Sequence, residues 1–591
     1  MEVMVEADFL YIFHYNNTMD KELILKEILS SVLSDLDLVT QVKLEKPADS
    51  NFGDYSSNLA MVNFKNISER FSSPKDFANF LVDKIKTKDQ KSLIAEISVA
   101  GPGFINFKLN GDYYLLELEK IISNKENKLI NLGKNKKAIV EYSSPNIAKP
   151  FTIGHLRSTI IGNSIANLLE ASGYQIFRDN HLGDWGTQFG KQIVAIKRWG
   201  NKSEIENAEN PVEKLVSLYV KFHEEAEKDD SLNDEARNWF KKLEEGDLEA
   251  REIWQNCIDW SFKEFAKIYN YLDIKFTEND GRGYGESFFE KMLQPIIAEL
   301  KSLNIAKEGK EGATLIFYPN DEFSPLMIAK KDGSTLYATR DLATDKWRLE
   351  NPRYQNEDGS SPLVINEVGS EQAFYFQQLY RIEEILGWYK KGQRVHVKHG
   401  LYRFKEGKMS TRKGNVIWLE EVLKKAKDEA MKFTKDEEIA TAVSIAALKW
   451  NDLKRKSEAN INFDWDEILN LQGNSGPYML YTYARAKSIL RKASPKENIN
   501  NKIEISLLEK SLLQKITDFP KIVAEASSEF APHHLCNYLF DLAQEFNSFY
   551  NKFPILNSSL ERQFRLNLVE ATSITLNKGL SLLGIKTLEK M

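Results

Sequence analysis

The chain has 591 residues, of which 42% are hydrophobic, 28% charged and 11% aromatic, and this length and composition predict a globular protein of about three or four domains. Two cysteines far apart in the sequence exclude a disulfide scaffold and a cysteine-rich zinc site, and they fit a reducing compartment. No apolar run reaches the ~18 residues of a membrane helix, and the net charge of −6 does not by itself indicate a nucleic-acid partner.

Residues 1–18 contain an aromatic stretch, Phe9–Tyr15, with acidic residues upstream of it and neither a basic lead-in nor a small-residue cleavage site. This pattern is not that of a signal peptide, so we expect a cytoplasmic protein. Residues 1–18 are either a genuine extension or a stretch that is not native, and Met19 is the start that the pattern favours.

A small α+β domain is predicted for residues 19–122. Apolar residues from Leu25 to Leu36 keep the spacing of one helix face, and Ile97–Phe107 has the pattern of two strands separated by a Gly-Pro-Gly turn. The polar stretch Ser123–Lys137 is a predicted linker to the next domain.

A strand, a loop, a helix and a second strand follow in that order. The apolar strand is Ala138–Tyr142, the helix keeps its apolar spacing from Leu156 to Leu169, and the second strand is Tyr174–Arg178. This βαβ order predicts a Rossmann-type domain with a parallel sheet over residues 136–395. Its other predicted segments are a helical insertion at about 204–275 and strands at Ala313–Tyr318, Pro362–Ile365 and Val395–Lys398.

The C-terminal part of the chain has no strand pattern after about Asp464. Residues 396–463 are predicted to connect the sheet to this part, and residues 464–591 to form an all-helical domain. A wide apolar stripe predicts the core of a helical bundle; it consists of Leu535, Tyr538, Leu539, Leu542, Ala543, Phe546 and Phe549.

Two short strings carry side chains suited to binding phosphates. In Thr152-Ile-Gly-His155, a glycine and a histidine stand at a helix start, where free N–H groups and the helix dipole favour an anion. In Lys408-Met-Ser-Thr-Arg-Lys-Gly-Asn415, three cations lie within six residues. Alone, the first string is more often a turn and the second a solvated loop, but both together in this order indicate a polyphosphate site.

The two strings resemble the HIGH and KMSKS motifs of class I aminoacyl-tRNA synthetases. Longer strings resemble the arginyl branch of that class, and the resemblance spans the chain from about Asp20 to Met591. These strings are Glu141-Tyr-Ser-Ser-Pro-Asn-Ile-Ala-Lys-Pro-Phe-Thr-Ile-Gly-His-Leu-Arg-Ser158, Asn180-His-Leu-Gly-Asp-Trp-Gly-Thr-Gln-Phe-Gly190, Tyr337-Ala-Thr-Arg-Asp341 and Gly476-Pro-Tyr-Met-Leu-Tyr481.

The resemblance implies a set of catalytic and ATP-binding residues. His155 and Lys408 would stabilise the transition state, with the secondary candidates Lys149, Thr152 and Lys413. ATP would contact Gly154, His155, Lys408, Met409 and Ser410. The chain departs from the family pattern at three positions, since Thr152 replaces the first His of HIGH, Thr411 the second Lys of KMSKS, and Tyr375 a frequent His.

The resemblance also implies an arginine site, and the chemistry of the residues agrees with it. A planar guanidinium with five N–H donors calls for a carboxylate and a hydroxyl, which Asp341 and Tyr337 would supply. From the residues alone, an ion pair between Asp341 and Arg340 is an equal alternative. The full set implied is Ser144, Pro145, Asn146, His155, Tyr337, Asp341 and Gln372, with Glu141 a further candidate near the guanidinium.

The expected tRNA contacts lie at both ends of the chain. Phe104 and Asn106 would bind an exposed base at the tRNA elbow, and the C-terminal helices would bind the anticodon. The implied anticodon contacts are Tyr478, Tyr481, Tyr550 and Met591. Phe104, Tyr478 and Tyr481 have an alternative assignment as core residues.

The resemblance implies an ATP-dependent arginine–tRNA ligase that needs bound tRNA before it activates arginine. Its expected partners are arginine tRNA, L-arginine and ATP with Mg²⁺; no protein-bound metal, no membrane and a monomer are expected. The alternatives are a non-catalytic tRNA-binding paralogue, which should have lost His155, Lys408 or Asn146, another class I synthetase, and a smaller nucleotidylyltransferase. A glutamyl enzyme conflicts with Asp341, a cysteinyl enzyme with the lack of cysteine ligands, and a small transferase with the long helical C-terminus.

Overall fold

The computed structural model describes residues 21–47, 49–89, 93–124, 129–309, 311–404, 417–470, 472–493, 505–557 and 561–591. Two compact units share the chain. The first comprises Met1–Leu132, Ala486–Ala524 and Asp541–Leu576, and the second comprises Gly133–Arg485, Glu525–Phe540 and Asn577–Met591. Within the described ranges, no helix is long and apolar enough to cross a membrane.

The N-terminal part of the first unit is a three-stranded antiparallel sheet with helices packed on it. The strand order is β1-β3-β2, and buried side chains from helices and strands, such as Leu25, Phe77 and Phe107, form its core. The elements are α1 (Lys21–Ser34), β1 (Tyr55–Ser57), α2 (Leu59–Asn63), α3 (Pro74–Lys88), β2 (Ile94–Ala100), β3 (Phe104–Leu109) and α4 (Gly111–Asn124). The predicted small α+β domain is confirmed.

The second unit is built on a four-stranded parallel sheet of order β10-β9-β4-β5. Its strands are β4 (Lys137–Glu141), β5 (Gln175–Asp179), β9 (Leu363–Gly369) and β10 (Arg394–His399). Helix α5 (Ile153–Ala171) connects β4 to β5, so the βαβ unit expected from the sequence is present. Parallel strands end at one edge of a sheet, and the loops after β4, β5 and β9 therefore open on the same side.

The helical insertion follows β5 and contains no strand. Its helices are α6 (Gln188–Trp199), α7 (Lys202–Glu206), α8 (Pro211–Ala226), α9 (Ser231–Glu245) and α10 (Leu248–Tyr271). Helix α6 packs against α9 and α8, and α10 contacts the same group. The insertion therefore forms a small helical layer of its own.

The predicted strand Ala313–Tyr318 lies outside the parallel sheet. Its observed core, β7 (Thr314–Ile316), pairs antiparallel with β6 (Ala306–Glu308) and β8 (Leu326–Ala329). The reason is that short connections join these strands, whereas a parallel neighbour needs a crossover of a dozen or more residues. This small sheet follows α11 (Leu293–Ser302) and shares a buried core with it.

The remaining elements of the chain are mostly helical. Strands β11 (Tyr402–Phe404) and β12 (Ile461–Phe463) form a two-stranded parallel ribbon. The helices are α12 (Tyr337–Glu350), α13 (Ala373–Ile385), α14 (Leu419–Ala430), α15 (Glu437–Leu453), α16 (Trp465–Ile468), α17 (Gly476–Lys492), α18 (Leu507–Ser528), α19 (Pro532–Lys552) and α20 (Arg562–Leu582). Every residue of the predicted apolar stripe between Leu535 and Phe549 is buried, which confirms a helical core there.

One buried guanidinium ties the strand ends of the parallel sheet together. Arg348 of α12 donates hydrogen bonds to Glu141 at 2.6 Å and to Asp179 at 2.7 Å, the last residues of β4 and β5. It also contacts Asp345 at 3.3 Å, and Arg394 of β10 binds the same Asp345 through two bonds of 2.7 Å. These charges are buried, so each depends on the others for its stability.

Replacement of Arg348 by Met should therefore lower the thermal stability of the protein. The change keeps most of the side-chain volume but leaves Glu141 and Asp179 buried without a cation, which costs about 3–5 kcal/mol. The expected drop in the unfolding midpoint is roughly 10 °C in a calorimetric scan. Arg381→Met on α13 is the matched control, because Arg381 is partly exposed and pairs with Glu322; its midpoint should move by about 1–2 °C at most. Equal midpoints for the two variants would contradict the role of Arg348.

Candidate active site

The loop after β4 has a strained backbone. Ser143, Ser144 and Ala148 have φ values of 75°, 45° and 58°, in the left-handed region that non-glycine residues seldom adopt. Hydrogen bonds hold the loop in place, since the backbone N–H of Ser143 donates to Ser158 Oγ at 2.9 Å and that of Ser144 to Asn180 Oδ1 at 3.0 Å. Strain that surrounding contacts maintain in this way is typical of binding sites.

The loops after β4 and β5 pair through their backbones. The N–H of Gly183 donates to the carbonyl of Pro145 at 3.1 Å, and the N–H of Ile147 donates to the carbonyl of Gly183 at 3.1 Å. A Cβ atom at Gly183 would collide with the side chain of Asn146, so only glycine fits there. Ser144, Pro145 and Asn146 thus line one continuous surface with the loop that carries Asn180.

His155 is held at the N-terminus of α5 by the residue that begins the helix. The backbone N–H of Thr152 donates to His155 Nδ1 at 2.9 Å. Because an N–H donates to it, Nδ1 carries no proton, and the neutral ring has its N–H at Nε2. Burial lowers the pKa of His155 to about 4, with contributions from nearby His399 and Lys149. At neutral pH, His155 is an uncharged donor beside the positive end of the helix.

The middle of α5 lies against the end of β4, and its start pairs with residues 417–419. A Cβ atom on Gly162 would overlap Tyr142, so this glycine lets α5 lie against the end of β4. The N–H of Ile153 donates to the carbonyl of Ile417 at 3.1 Å, and that of Leu419 to the carbonyl of Phe151 at 2.9 Å. The chain that follows the Lys-rich string is therefore hydrogen-bonded to the first turn of α5. The string itself, with Lys408, Met409, Ser410, Thr411 and Lys413, lies outside the described residues.

Tyr337 and Asp341 lie one turn apart at the start of α12. Asp341 accepts a hydrogen bond from the hydroxyl of Tyr375, and its Oδ1 is 4.0 Å from Nε2 of His181. The Tyr337 side chain is exposed, with its ring centroid 4.7 Å from that of Tyr375. Burial raises the pKa of Asp341 to about 7, against the opposing effect of His181.

The alternative partner for Asp341, its neighbour Arg340, is engaged elsewhere. Arg340 donates to Glu286 at 3.3 Å. Gln372 belongs to the short 3-10 turn Ser370–Gln372 that follows β9, and it is exposed. It therefore lies at the same sheet edge as the loops after β4 and β5.

Glu141, expected as a candidate near a bound guanidinium, contacts a guanidinium of the protein itself. Its Oε2 accepts from Arg348 at 2.6 Å and its Oε1 from Asn366 at 2.9 Å. Although burial raises the pKa of Glu141, Arg348 and His181 outweigh this effect and lower it to about 2. Glu141 is thus a charged structural partner of Arg348, and the sequence could not reveal which guanidinium it would meet.

A chain of short contacts joins His155 to Asp341. Thr159 Oγ1 lies 2.7 Å from the carbonyl oxygen of His155 and 2.8 Å from Ser143 Oγ. The hydroxyl of Tyr269, from the last insertion helix, is 2.9 Å from Ser143 Oγ and 3.1 Å from Asn180 Nδ2. Asn180 precedes His181, which faces Asp341. No pattern in the sequence indicates this role of Tyr269. The string Asn180–Gly190 could have indicated His181, and the replacement of a frequent histidine could have indicated Tyr375.

The residues expected at the tRNA are largely exposed. Phe104 begins β3 and is 38% exposed, so its alternative assignment as a core residue is not supported. Asn106, two residues later, is buried and lines a cavity of about 720 Å³ in the first unit. Tyr481, Tyr550 and Met591 are exposed as well. Tyr478 is half-buried, with its ring 5.7 Å from that of Phe540.

Among the described residues, no group of three or more His, Cys, Asp or Glu side chains is arranged to hold a metal ion. Cys257 and Cys536 are both buried.

Three family models match the chain. Residues 117–465 match the model of tRNA synthetases class I (R), catalytic domain. Residues 479–591 match the DALR anticodon binding domain, and residues 23–109 match the arginyl tRNA synthetase N terminal domain. The catalytic model alone covers more than half of the chain.

Two relatives are similar to this chain over almost the whole length of both sequences. An arginine–tRNA ligase of Fusobacterium nucleatum subsp. nucleatum is 39% identical over 566 residues, covering 93% of this chain and 95% of the relative. That of Clostridioides difficile is 39% identical over 564 residues, with the same coverage of 93% and 95%.

Solved structures extend the similarity to the fold. An arginyl-tRNA synthetase from Plasmodium falciparum superposes with a TM-score of 0.75 at 27% identity, covering 96% of this chain and 98% of that one. The Thermus thermophilus arginyl-tRNA synthetase shares the fold with a TM-score of 0.76, covering 96% and 99% at 24% identity. With its parallel-sheet catalytic region, α+β N-terminal region and helical C-terminal region, this chain belongs to the arginyl-tRNA synthetase family of class I aminoacyl-tRNA synthetases.

Proposed function

We propose that this chain is an arginine–tRNA ligase that activates L-arginine with ATP and transfers it to arginine tRNA. The observation that supports the proposal is a run of neighbouring side chains from His155, at a helix N-terminus, to Asp341, a half-buried carboxylate whose Oδ1 is 4.0 Å from His181 Nε2. The run has at one end a group of the kind that binds phosphate and at the other a group of the kind that binds a cation, as the activation of a cationic amino acid requires.

The arginine site is proposed on the strained loop and the start of α12. Ser144, Pro145 and Asn146 would hold the α-amino and carboxylate groups, because their loop is fixed against Gly183. Asp341 and Tyr337 would bind the guanidinium, and Gln372 would complete the pocket from the end of β9. A carboxylate held by Tyr375 presents its charge in a fixed position, which favours a planar, multidentate cation.

The ATP site is proposed at the start of α5. Gly154 is exposed and leaves its backbone open to a phosphate, and His155 offers its Nε2–H as a donor. Thr152 acts by holding His155, which explains how a residue other than histidine serves at that position. The remaining positive charge would come from Lys149 and from Lys408 and Lys413 of the string that continues into Ile417. Met409 and Ser410 of the same string would contact ATP. We propose that ATP enters as its Mg²⁺ complex, with the metal on phosphate oxygens.

The reaction has two steps. A carboxylate oxygen of arginine attacks the α-phosphorus of ATP, a new P–O bond forms and pyrophosphate leaves. A hydroxyl of the terminal tRNA ribose then attacks the arginine carbonyl carbon and AMP leaves. His155 and Lys408 would stabilise the charge that develops on phosphate oxygens in the first step, without covalent catalysis.

The tRNA contacts are proposed on the residues that the resemblance implied at both ends of the chain. Phe104 would stack on an unpaired base beside Asn106, and Tyr478, Tyr481, Tyr550 and Met591 would lie near the anticodon. A cytoplasmic monomer is proposed. The alternative, a non-catalytic tRNA-binding paralogue, is disfavoured because the chain keeps His155, Asn146 and Lys408.

The substrate assignment predicts the outcome of ATP–pyrophosphate exchange across a panel of amino acids. Exchange should occur with arginine only, and only after arginine tRNA is added. The matched variant Asp341→Asn keeps the shape of the side chain and removes its charge, so its kcat/KM for arginine should fall on the order of 10²-fold. Exchange driven by lysine or glutamate would overturn the assignment, and a chain that binds arginine tRNA without any exchange would support the paralogue.

The role of His155 predicts a selective loss of rate. His155→Ala removes the donor at the α5 N-terminus and should lower kcat for activation by about 10²–10³-fold. KM for arginine should change by only about two- to three-fold, because the donor acts on phosphate in the transition state. His223→Ala, on the exposed face of the insertion helix α8, is the control and should keep the full rate. A His155→Ala enzyme with unchanged kcat contradicts this role.

A further inference from the structure

The ring of His181 has a fixed orientation. Its Nδ1 lies 3.0 Å from the carbonyl oxygen of Tyr284. A carbonyl only accepts, so Nδ1 carries a proton and donates. The backbone N–H of Tyr284 in turn donates to Asp179 at 2.9 Å, which anchors this segment to the end of β5. The nitrogen left to interact with anything else is Nε2.

His181 Nε2 is a buried polar atom without a hydrogen bond in the described part of the chain. Its nearest charged neighbour is Asp341 Oδ1 at 4.0 Å, which is too far for a hydrogen bond. Buried polar atoms almost always form a hydrogen bond. Nε2 of His181 faces Asp341, the side chain proposed to bind the substrate, so we expect the substrate to supply its partner. Both atoms can contact different N–H groups of one guanidinium.

The charges around His181 come from several elements. Four carboxylates and one guanidinium face it: Glu141, Asp184, Glu286, Asp341 and Arg348. Burial and Arg348 lower the pKa of His181, but Glu141, Asp341 and Glu286 outweigh them, and the pKa lies above its ordinary value of 6.5. In the pocket without arginine, these carboxylates therefore favour the protonated imidazolium of His181.

A bound guanidinium is incompatible with that imidazolium. The guanidinium has five N–H donors and no acceptor, so a protonated Nε2 would meet it donor to donor and charge to charge. A neutral Nε2 instead offers a lone pair. We propose that His181 is a further arginine-binding residue, whose Nε2 accepts a hydrogen bond from the substrate guanidinium and gives up its proton to solvent when arginine binds. This inference rests on the proposed function, because it assumes that arginine occupies the pocket of Asp341.

Because the guanidinium of arginine replaces the proton of His181, the direction in which the affinity for arginine changes with pH is determined. The bound guanidinium lowers the pKa of His181 from its value in the empty pocket. Arginine must then displace a proton at low pH, so its affinity weakens by up to about tenfold per pH unit below the empty-pocket pKa. Above that pKa the affinity no longer depends on this group.

The test is isothermal titration of arginine into the full-length protein at pH about 6–9, in pairs of buffers with different ionisation enthalpies. The difference between buffers counts the protons released. We expect the release to approach one proton per arginine at the low end of the series and to decline toward zero as pH rises. His181→Asn keeps an N–H donor for the Tyr284 carbonyl but has no atom at Nε2, so it should release fewer protons per arginine than the unchanged protein at the low end of the series. Asp341, whose pKa burial raises to about 7, is the group that can still release a proton in this variant. His223→Asn, which removes an exposed histidine, should release protons like the unchanged protein.

Each outcome separates the inference from the function. Arginine binding without proton release in the unchanged protein overturns the role of His181 and leaves the proposed function standing. Proton release from His181→Asn that equals the release from the unchanged protein assigns the proton to another group, such as Asp341, and also overturns the inference. Absence of arginine binding in the unchanged protein overturns the proposed function and the inference together. The unchanged protein supplies a decisive measurement even if His181→Asn fails to fold.

Discussion

The geometry of the site depends on one buried ionic contact, that between Arg348 and the acidic ends of two neighbouring strands. Glu141 on β4 lies in register with Asp179 on β5 and with Asn366 on β9. Without a shared cation, two adjacent carboxylates could not both stay charged away from water. The guanidinium of Arg348 therefore fixes the point from which the loops after β4 and β5 depart, and those loops carry the proposed arginine and ATP contacts.

The acids near the site fall into two groups that differ in their partners. Glu141 and Asp345 are neutralised by arginines of the protein, whereas the partners of Asp341 within the described ranges are a tyrosine hydroxyl and a histidine. The arginine side chains of the protein thus pair with the more deeply buried carboxylates. Asp341 remains the acid with which a cationic substrate can pair, which fits a pocket that selects a cationic side chain.

The sequence predicted the elements of the fold better than the contacts of the site. Alternation of strand and helix patterns was enough to predict the βαβ unit, and the helical period was enough for the insertion and the C-terminal helices. Segment Thr314–Ile316 has a strand pattern too, but pattern alone does not tell which sheet a strand joins. The partners of Glu141 and Asp341 come from residues far along the chain, and only tertiary packing decides such pairings.

The backbone pairing between residues 151–153 and 417–419 has a mechanical consequence. Two hydrogen bonds make the beginning of α5 and the beginning of α14 one small ribbon, although a long stretch of chain separates them. A displacement of α14 is therefore transmitted directly to the turn that orients the His155 ring. The two segments cannot separate at this point unless both hydrogen bonds break.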